Sequence, residues 1–359
     1  MRKEIIKFVQ KAKFKRNRKW VIGIVVLLFA CIATLLQIFA KAEQSPVVLE
    51  AENSVRSGNA EVANSSEASN GKTLRFKGNT TPVQTVYPKR TTPLSPASGY
   101  TTNANLSFGP YGTDSLLDLY IPNSNGPFPL IVYIHGGGWR GYDKSECPKW
   151  LINRGFALAC VNYRYSTTAV FPAQTVDNKM AVRWLRANAT KYNIWPYKIG
   201  SMGLSSGGHL ASLLGVSNGF AAFEEGDNRD QSSDISAVYS GYGVMDLIDL
   251  VRVQPSHDNS ADIGPMLIGK DSISGFPSEA KYASPTNYID SKDAPHLLHH
   301  GTGDTVIPWQ QSQLMHDKLT AAGVESTLRL LQGAGHGTGE FGDDDILDQV
   351  VSFFDKHLR

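Results

Sequence analysis

A five-residue turn of the form G-x-S-x-G, Gly203–Gly207, limits the fold of this chain more than any other stretch. A strand-like run precedes it and an apolar, helix-like run follows it, which is the context that makes the motif informative. A residue at the apex of such a turn has strained backbone angles, and Gly203 and Gly207 supply the room that it needs. The pattern predicts that Ser205 presents its hydroxyl as a nucleophile. The N–H of Ser206, at the positive end of the following helix, is expected to bind an oxyanion.

A second glycine-rich stretch, His135–Trp139, directly follows a continuous apolar run. A run without alternation is typical of a strand buried on both faces. Three successive glycines at a strand end let backbone N–H groups point into one spot, so we expect those of Gly137 and Gly138 to complete an oxyanion hole. His135 is expected to order the loop rather than to act as a base. Trp139 is interpreted either as a substrate-binding wall of the acyl pocket or as a core residue.

A serine nucleophile needs a histidine base, and the base needs a carboxylate to fix its tautomer. Asp304 lies in a loop after the strand-like residues 296–300, and His336 lies in a glycine-rich loop after the last predicted strand. Each alone is better explained as a turn or surface residue. Their order, each after a strand end, favours Ser205, Asp304 and His336 as a catalytic triad. Asp246, which also follows a predicted strand, is the alternative acid.

Strand-like and helix-like runs alternate from residue 101 to the C-terminus. Such alternation predicts the α/β class, with a mostly parallel central sheet covered by helices on both faces. Residues 247–285 combine several prolines with mixed polarity, and they are expected to form a lid or a substrate wall. No cluster of cysteine and histidine suggests a metal ion, and no cofactor is expected.

The N-terminal residues have a different composition. Residues 1–19 contain nine Lys or Arg and one Glu, a net charge of +8, whereas the remaining residues carry −6. A basic arm is compatible with nucleic acid or with an anionic membrane surface. The uncharged run Val21–Ala40 follows at once, and its 20 residues are long enough to span a bilayer core. This run favours the membrane and argues against a nucleic-acid partner.

Two interpretations of residues 20–41 remain open. As an uncleaved transmembrane signal anchor, they keep the basic arm of residues 1–19 in the cytoplasm and export the rest of the chain, by the positive-inside rule. As a signal peptide, they are removed at the cleavage-like sequence Ala40–Ala42, and the protein is secreted. The apolar run exceeds the usual signal-peptide length, which favours the single-pass anchor. Both interpretations place the catalytic domain outside the cytoplasm.

Residues 42–100 are rich in Ser, Thr, Asn and Gly, and they are expected to form a linker or stalk. Within them, Val47–Phe76 resembles the first strands of a carbohydrate-binding module of the β-sandwich kind. The stretch is too short for a complete module, so a relic or a short β-hairpin is the preferred interpretation. Among the cysteines, Cys147 and Cys160 could pair in an exported chain. Cys160 lies in an apolar strand-like run, however, and we expect it to be an unpaired buried residue.

Five motifs in this order resemble the α/β-hydrolase fold esterases, and they are His135–Trp139, Phe171–Gln174, Gly203–His209, His300–Asp304 and Gly333–Gly337. The resemblance covers about residues 105–359. It is nearest to the bacterial carboxylesterases with an HGGGW loop, a group that includes acetylxylan and feruloyl esterase-like enzymes and relatives of the hormone-sensitive lipase family. One departure is Ser206, where many relatives carry Ala, but only its N–H is required.

The resemblance implies a serine esterase that hydrolyses carboxylic esters through an acyl-enzyme intermediate. It does not decide between short acyl esters and the acetyl or feruloyl esters of carbohydrates. The ester can belong to a small molecule or to a polysaccharide. A formamidase or a peptidase of the same fold is an alternative, although a prolyl-oligopeptidase type usually carries a propeller that this linker is too short to supply. A catalytically silent cell-surface binding protein is the alternative from another class. Such a protein would have no need to keep Ser205, Asp304 and His336 together.

Overall fold

The computed structural model of the protein describes residues 99–359 and, ahead of them, two strands. These are β1 (Ala60–Asn64) and β2 (Lys72–Phe76), which pair antiparallel within the stretch expected to hold a linker and a short hairpin. The basic arm and the expected membrane segment over residues 20–41 lie outside the described residues. Among the residues that are described, no helix is long and apolar enough to cross a membrane.

Residues 99–359 contain one sheet of eight strands, in the spatial order β10-β9-β8-β7-β5-β6-β4-β3. The six strands β5 to β10 are parallel to their neighbours within that set, and β4 runs antiparallel to both β6 and β3. The strand bounds are β3 (Tyr100–Ser107), β4 (Leu116–Pro122), β5 (Phe128–Ile134), β6 (Ala157–Val161), β7 (Ile194–Leu204), β8 (Val238–Gly241), β9 (His296–Gly301) and β10 (Ser326–Leu331).

Seven α-helices accompany this sheet in the same residues. Their bounds are α1 (Ala173–Ala187), α2 (Ser206–Val216), α3 (Leu247–Val253), α4 (Ile263–Ile268), α5 (Pro277–Tyr282), α6 (Gln310–Ala321) and α7 (Asp344–Leu358). All eleven residues of α2 are buried, so the helix that follows Ser205 lies inside the core.

The central strand β5 explains why the sheet is covered on both faces. All seven of its residues are buried. Successive strand side chains point to opposite faces. Accordingly, Val132 and Ile134 belong to the core cluster that contains residues of α1 and α2. Ile131 and Tyr133 belong to a second cluster, which contains residues of α7. The α/β class predicted from the sequence is confirmed.

Two predicted segments take a more specific form in the structure. The helix-like segment near residue 150 is a short 3-10 helix, Lys149–Arg154, which ends at Gly155 with a φ of 85°. Residues 247–285 contain the three short helices α3, α4 and α5. Leu267 and Ile273 of this insertion are fully buried in the larger core cluster, so part of it is packed as a wall of the domain.

The expectation that Cys160 is unpaired is wrong, because it forms a disulfide with Cys147, with the Cα atoms 5.8 Å apart. Cys160 is a fully buried residue of β6, as expected. Its side chain, however, belongs to the cluster against which Cys147 packs. The segment around residue 147 packs on one face of β6. Tertiary packing decides which face this is, and the local apolar pattern cannot predict it.

Candidate active site

Ser205 occupies the turn between β7 and α2 in a strained backbone conformation, with a φ of 56° and a ψ of −124°. Such conformations typically cost about 1–3 kcal/mol and persist only where the surroundings hold them. The Ser205 N–H donates to the carbonyl of Gly241 at 2.9 Å. A Cβ atom on Gly203 would lie 2.1 Å from the oxygen of Gly207, and one on Gly207 would lie 2.1 Å from the oxygen of Ile134. Both glycines are therefore required for the turn.

Ser205, His336 and Asp304 form a continuous chain of hydrogen bonds. The distance from Ser205 Oγ to His336 Nε2 is 3.0 Å, and that from His336 Nδ1 to Asp304 Oδ2 is 2.7 Å. Since a carboxylate only accepts, Nδ1 carries the imidazole proton and Nε2 is the acceptor for the serine hydroxyl. The structure therefore brings together the three side chains predicted to act together, with the tautomer that a general base requires.

The Asp304 carboxylate is held as an anion by its surroundings. Burial alone would raise its pKa, but hydrogen bonds from His300, from His336 and from the Ile307 N–H outweigh burial and hold the pKa well below its usual range. Asp304 Oδ1 accepts from the N–H groups of Val306 and Ile307 at 2.8 and 2.9 Å. The second oxygen, Oδ2, is thereby directed to His336.

The loops that carry Asp304 and His336 are joined by their backbones. The N–H of Thr302 donates to the carbonyl of Leu331 at 2.9 Å, and the N–H of Gly303 donates to that of Ala334 at 2.9 Å. A Cβ atom on residue 301 would lie 2.2 Å from the Ala334 oxygen, so this close approach needs glycine there. The parallel pairing of β9 with β10 thus continues into the loops and sets the acid beside the histidine.

The alternative acid, Asp246, is occupied elsewhere. It is the N-cap residue of α3, and its Oδ1 accepts from the N–H groups of Ile248 and Asp249 at 3.0 Å each. Its Oδ2 accepts from the Thr286 hydroxyl at 2.7 Å. Both carboxylate oxygens are used to fix the start of the insertion. The geometry therefore favours Asp304 as the partner of His336.

The glycine loop after β5 has left-handed backbone angles, with φ of 94° at Gly137 and 62° at Gly138. A Cβ atom on Gly137 would lie 2.2 Å from the oxygen of Gly141, so this position also excludes any other residue. Among the described residues, the N–H groups of Gly137 and Gly138 have no hydrogen-bond acceptor. Both glycines line the cleft that contains Ser205. They can therefore donate to an oxygen of a bound molecule.

His135 supports this loop and takes no part in the serine chain. Its ring stacks on that of Tyr163 with centroids 4.3 Å apart, and its Nδ1 lies 2.9 Å from the Gly136 carbonyl. The Tyr163 hydroxyl donates to the His135 carbonyl at 3.1 Å. Burial lowers the pKa of His135. A neutral, buried imidazole at this position agrees with a role in ordering the loop.

Trp139 packs behind the loop rather than in the cleft wall. Its side chain is fully buried in the larger core cluster and is not among the residues that line the cleft. Its indole N–H donates to His209 Nδ1 at 3.2 Å, and His209 Nε2 lies 2.7 Å from the Ala283 carbonyl. Of the two interpretations of Trp139, the core residue fits its position. His209 joins the glycine loop, the helix α2 and the end of the insertion.

The cleft above Ser205 has a volume of about 590 Å³. It combines the charged side chains of Arg140 and Glu146 with aromatic and apolar groups. Its lining comprises Tyr133, Gly136, Gly137, Gly138, Arg140, Tyr142, Glu146, Leu204, Ser205, Tyr242, Ile263, Val306, His336 and Gly337.

Sequence reasoning missed several of these residues. Tyr242 directly follows β8, and its ring lies edge-on to His336 with centroids 4.6 Å apart, so it packs against that imidazole. Arg140, Tyr142 and Glu146 follow the glycine loop in the sequence and also line the cleft. Their positions in the sequence could have indicated these residues, because residues that follow the carboxyl ends of parallel strands tend to line sites in open α/β sheets.

The sheet, the strained serine between a strand and a helix, and the acid and histidine after two later strands define an α/β-hydrolase fold protein. The BD-FAE family model matches residues 117–319, which is more than half of the chain. The chain belongs to this family.

Known proteins similar to the chain include esterases. Esterase LipQ of Mycobacterium tuberculosis is 29% identical over 228 residues, which cover 61% of this chain and 53% of LipQ. The chain thus spans about half the length of that relative. A truncated carbohydrate esterase from gut microbiota is 29% identical with a TM-score of 0.65, covering 74% of this chain and 99% of the other. The propionate-bound esterase Est2 of Thermogutta terrifontis is 25% identical with a TM-score of 0.56, covering 72% and 93%.

Proposed function

We propose that the protein is a serine esterase that hydrolyses carboxylic esters through an acyl-enzyme intermediate. The observation that carries this proposal is the chain from Asp304 through His336 to Ser205, with distances of 2.7 and 3.0 Å. It opens into a cleft lined by Gly137 and Gly138, whose N–H groups have no acceptor among the described residues. The esterase relatives support the same reaction class.

In this mechanism, Ser205 Oγ attacks the ester carbonyl while His336 Nε2 takes its proton. The negative oxygen of the tetrahedral intermediate accepts hydrogen bonds from the N–H groups of Gly137, Gly138 and Ser206. The bond to the alcohol oxygen then breaks, and His336 gives the proton to the leaving alcohol. Water, deprotonated by the same histidine, attacks the acyl-enzyme carbonyl. The bond from that carbon to Ser205 Oγ then breaks, His336 returns the proton to Oγ, and the carboxylic acid leaves.

For the substrate, we infer short-acyl or feruloyl esters of carbohydrates. The charges of Arg140 and Glu146 at the cleft supply donors and acceptors for hydroxyl groups, and Tyr142 supplies a flat aromatic surface. Tyr142 is 66% exposed, and its carbonyl accepts a hydrogen bond from the Tyr165 hydroxyl, so an anchored backbone presents an exposed aromatic residue. The similarity to a gut carbohydrate esterase supports this inference.

Hydrolysis of 4-nitrophenyl acetate and of acetylated xylan by the purified protein tests the proposal. Ser205→Ala should lower turnover by at least about a thousandfold, because loss of the nucleophile removes the acyl-enzyme route. Ser212→Ala, the same chemical change at a buried position of α2, is the matched control. Activity of the Ser205 variant within about tenfold of wild type would exclude the serine mechanism.

The same assays separate the alternatives. A binding protein on a hydrolase scaffold would hydrolyse neither ester, whereas a formamidase or peptidase would prefer aryl formamides or peptide anilides to the matching esters. Arg140 and Glu146 of the cleft suit an ester whose alcohol part carries hydroxyl groups, and they give no reason to prefer a formamide or a peptide as substrate. Comparison of kcat/KM for an acetate ester and its amide therefore decides the reaction class.

We further propose that the catalytic domain is exported and held at the membrane by residues 20–41. The uncharged run Val21–Ala40 behind the basic arm supports this, and the Cys147–Cys160 disulfide is typical of oxidising compartments. Membrane fractionation with external protease treatment of intact cells tests the arrangement. A mature N-terminus at Glu43 would show secretion after cleavage instead.

A further inference from the structure

Two consecutive buried histidines, His299 and His300, lie near the end of β9 and face opposite sides of the sheet. His299 lies 3.1 Å from Gln349 Oε1 through Nε2 and 3.3 Å from the Tyr239 hydroxyl through Nδ1. His300 is equally buried, and its ring lies against Asp304. The proposed triad uses neither of them. Only His300 contacts a triad residue, and this difference separates the two.

The contacts of His300 fix its tautomer. Its Nε2 lies 2.9 Å from the Ile307 carbonyl, and its Nδ1 lies 2.7 Å from Ser312 Oγ. A carbonyl oxygen only accepts, so Nε2 carries the proton, and Nδ1 can accept from the Ser312 hydroxyl. Both ring nitrogens are thus satisfied without solvent. The ring connects β9, the turn after Asp304 and the first turn of α6.

This arrangement closes the turn that carries Asp304. The N–H of Ile307 donates to Asp304 Oδ1 at 2.9 Å, while the carbonyl of Ile307 accepts from His300. Ile307 is therefore held at both ends. In addition, His300 Nε2 lies 3.4 Å from Asp304 Oδ2, as a second and longer partner of the oxygen that His336 contacts at 2.7 Å.

We propose that His300 is a positioning residue of the proposed triad, which holds the Asp304 turn and shares the negative charge of its Oδ2 with His336. Ser312 acts through His300, because its hydroxyl occupies Nδ1 and keeps the proton on Nε2. The inference rests on the proposed esterase function and adds two residues behind the acid.

In this proposal, the negative charge of Asp304 is balanced by hydrogen bonds from both His300 and His336. The titratable groups that face this carboxylate are His300, His336 and, through space, Tyr242. Removal of the His300 N–H leaves the carboxylate less satisfied, so it attracts a positively charged His336 ring more strongly. The acid limb of kcat/KM against pH should therefore move to higher pH. A residue that only fills space would not move this limb.

The test measures pH profiles of ester hydrolysis for the full-length protein. His300→Leu should move the acid limb upward by roughly half a pH unit and lower kcat about tenfold, with KM little changed. Ser312→Ala should move it in the same direction by less. His300→Gln keeps an N–H near the Nε2 position and should restore most of both effects. Circular dichroism checks that each variant is folded.

His299→Leu is the matched control, because it makes the same change at the buried neighbour that has no contact with Asp304. An acid limb of His300→Leu that coincides with wild type overturns the inference, as does an equal shift in His299→Leu. If His300→Leu does not fold, Ser312→Ala decides by the presence or absence of the upward shift. Lack of hydrolysis by the wild-type protein is a different result, and it refutes the proposed function itself.

Discussion

Acidification from pH 7.5 to 5 should destabilise the domain strongly, because three buried histidines cannot accept a proton without loss of packing. Burial lowers the pKa of His209, His296 and His299 to about 4. In His209 both nitrogens are occupied, since Nδ1 faces the Trp139 N–H at 3.2 Å and Nε2 faces a carbonyl. A proton on Nδ1 would set two donors against each other. In His296, Nε2 is buried and has no partner among the described residues.

The unfolded state binds more protons than the folded state below about pH 6.5, so the free energy of unfolding falls as the pH is lowered. An unfolded histidine has a pKa of about 6.5, so the unfolded chain takes up protons first as the pH falls. The stability contributed by the neutral rings is complete above about pH 6.5 and is lost progressively down to about pH 4. Each ring lowers the free energy of unfolding by about 2 kcal/mol at pH 5 and by about 3 kcal/mol at full protonation. Three rings together cost about 6 kcal/mol at pH 5, a large part of a typical domain stability.

Guanidinium unfolding at constant ionic strength, followed by tryptophan fluorescence between pH 7.5 and 5, measures this effect. Asp293, Asp177 and Asp355 oppose it, because burial raises the pKa of each carboxyl, that of Asp293 to about 7. Asp293 is partly solvated and the other two are paired with arginines, so we expect them to offset only part of the loss. His296→Gln should flatten the pH dependence by about one third, since it removes one of three rings of similar effect. A free energy of unfolding that stays constant from pH 6.5 to 5 would refute the reasoning.

Three further outcomes are expected. Asp304→Asn should lower kcat by about 10³–10⁴ because the base loses its tautomer control, whereas Asp246→Asn should keep turnover within about tenfold; a reversed order in steady-state assays would make Asp246 the acid. Replacement of Cys147 and Cys160 by Ala should lower the free energy of unfolding by about 3 kcal/mol, given 13 residues of separation, and reductant should have this effect on wild type alone. Tyr142→Ala should raise KM for a sugar acetate several-fold and leave 4-nitrophenyl acetate unchanged; equal effects on both substrates would contradict a sugar-stacking role.

The parts of the fold that could be predicted are those written locally in the sequence. The continuous apolar run Phe128–Ile134 specifies a strand buried on both faces, and the glycines around Ser205 specify a turn that no other residue permits. The same local patterns indicated Asp304 and His336, because both follow strand ends. What they omit is the face on which a loop lies.

The disulfide and Trp139 illustrate this limit. All five residues of β6 are buried and apolar, on both faces of the strand. The sequence therefore does not tell which face of β6 the Cys160 side chain points to. Trp139 follows three glycines that lead toward the cleft, yet its own left-handed φ of 57° turns the indole into the core. Neither direction is encoded in composition or period, because each depends on which elements pack from the other side.

Four histidines of the site each stand next to a glycine in the sequence, and this pattern alone does not separate the base from the others. His135, His209 and His300 each place a ring nitrogen within 2.9 Å of a backbone carbonyl. These three rings are buried and hold the glycine loop, the helix after Ser205 and the acid turn. His336 differs because its side chain is 20% exposed and its Nε2 faces the serine hydroxyl. A base needs a nitrogen that can exchange protons with substrate, so exposure to the cleft favours His336 over the other three as the proposed base.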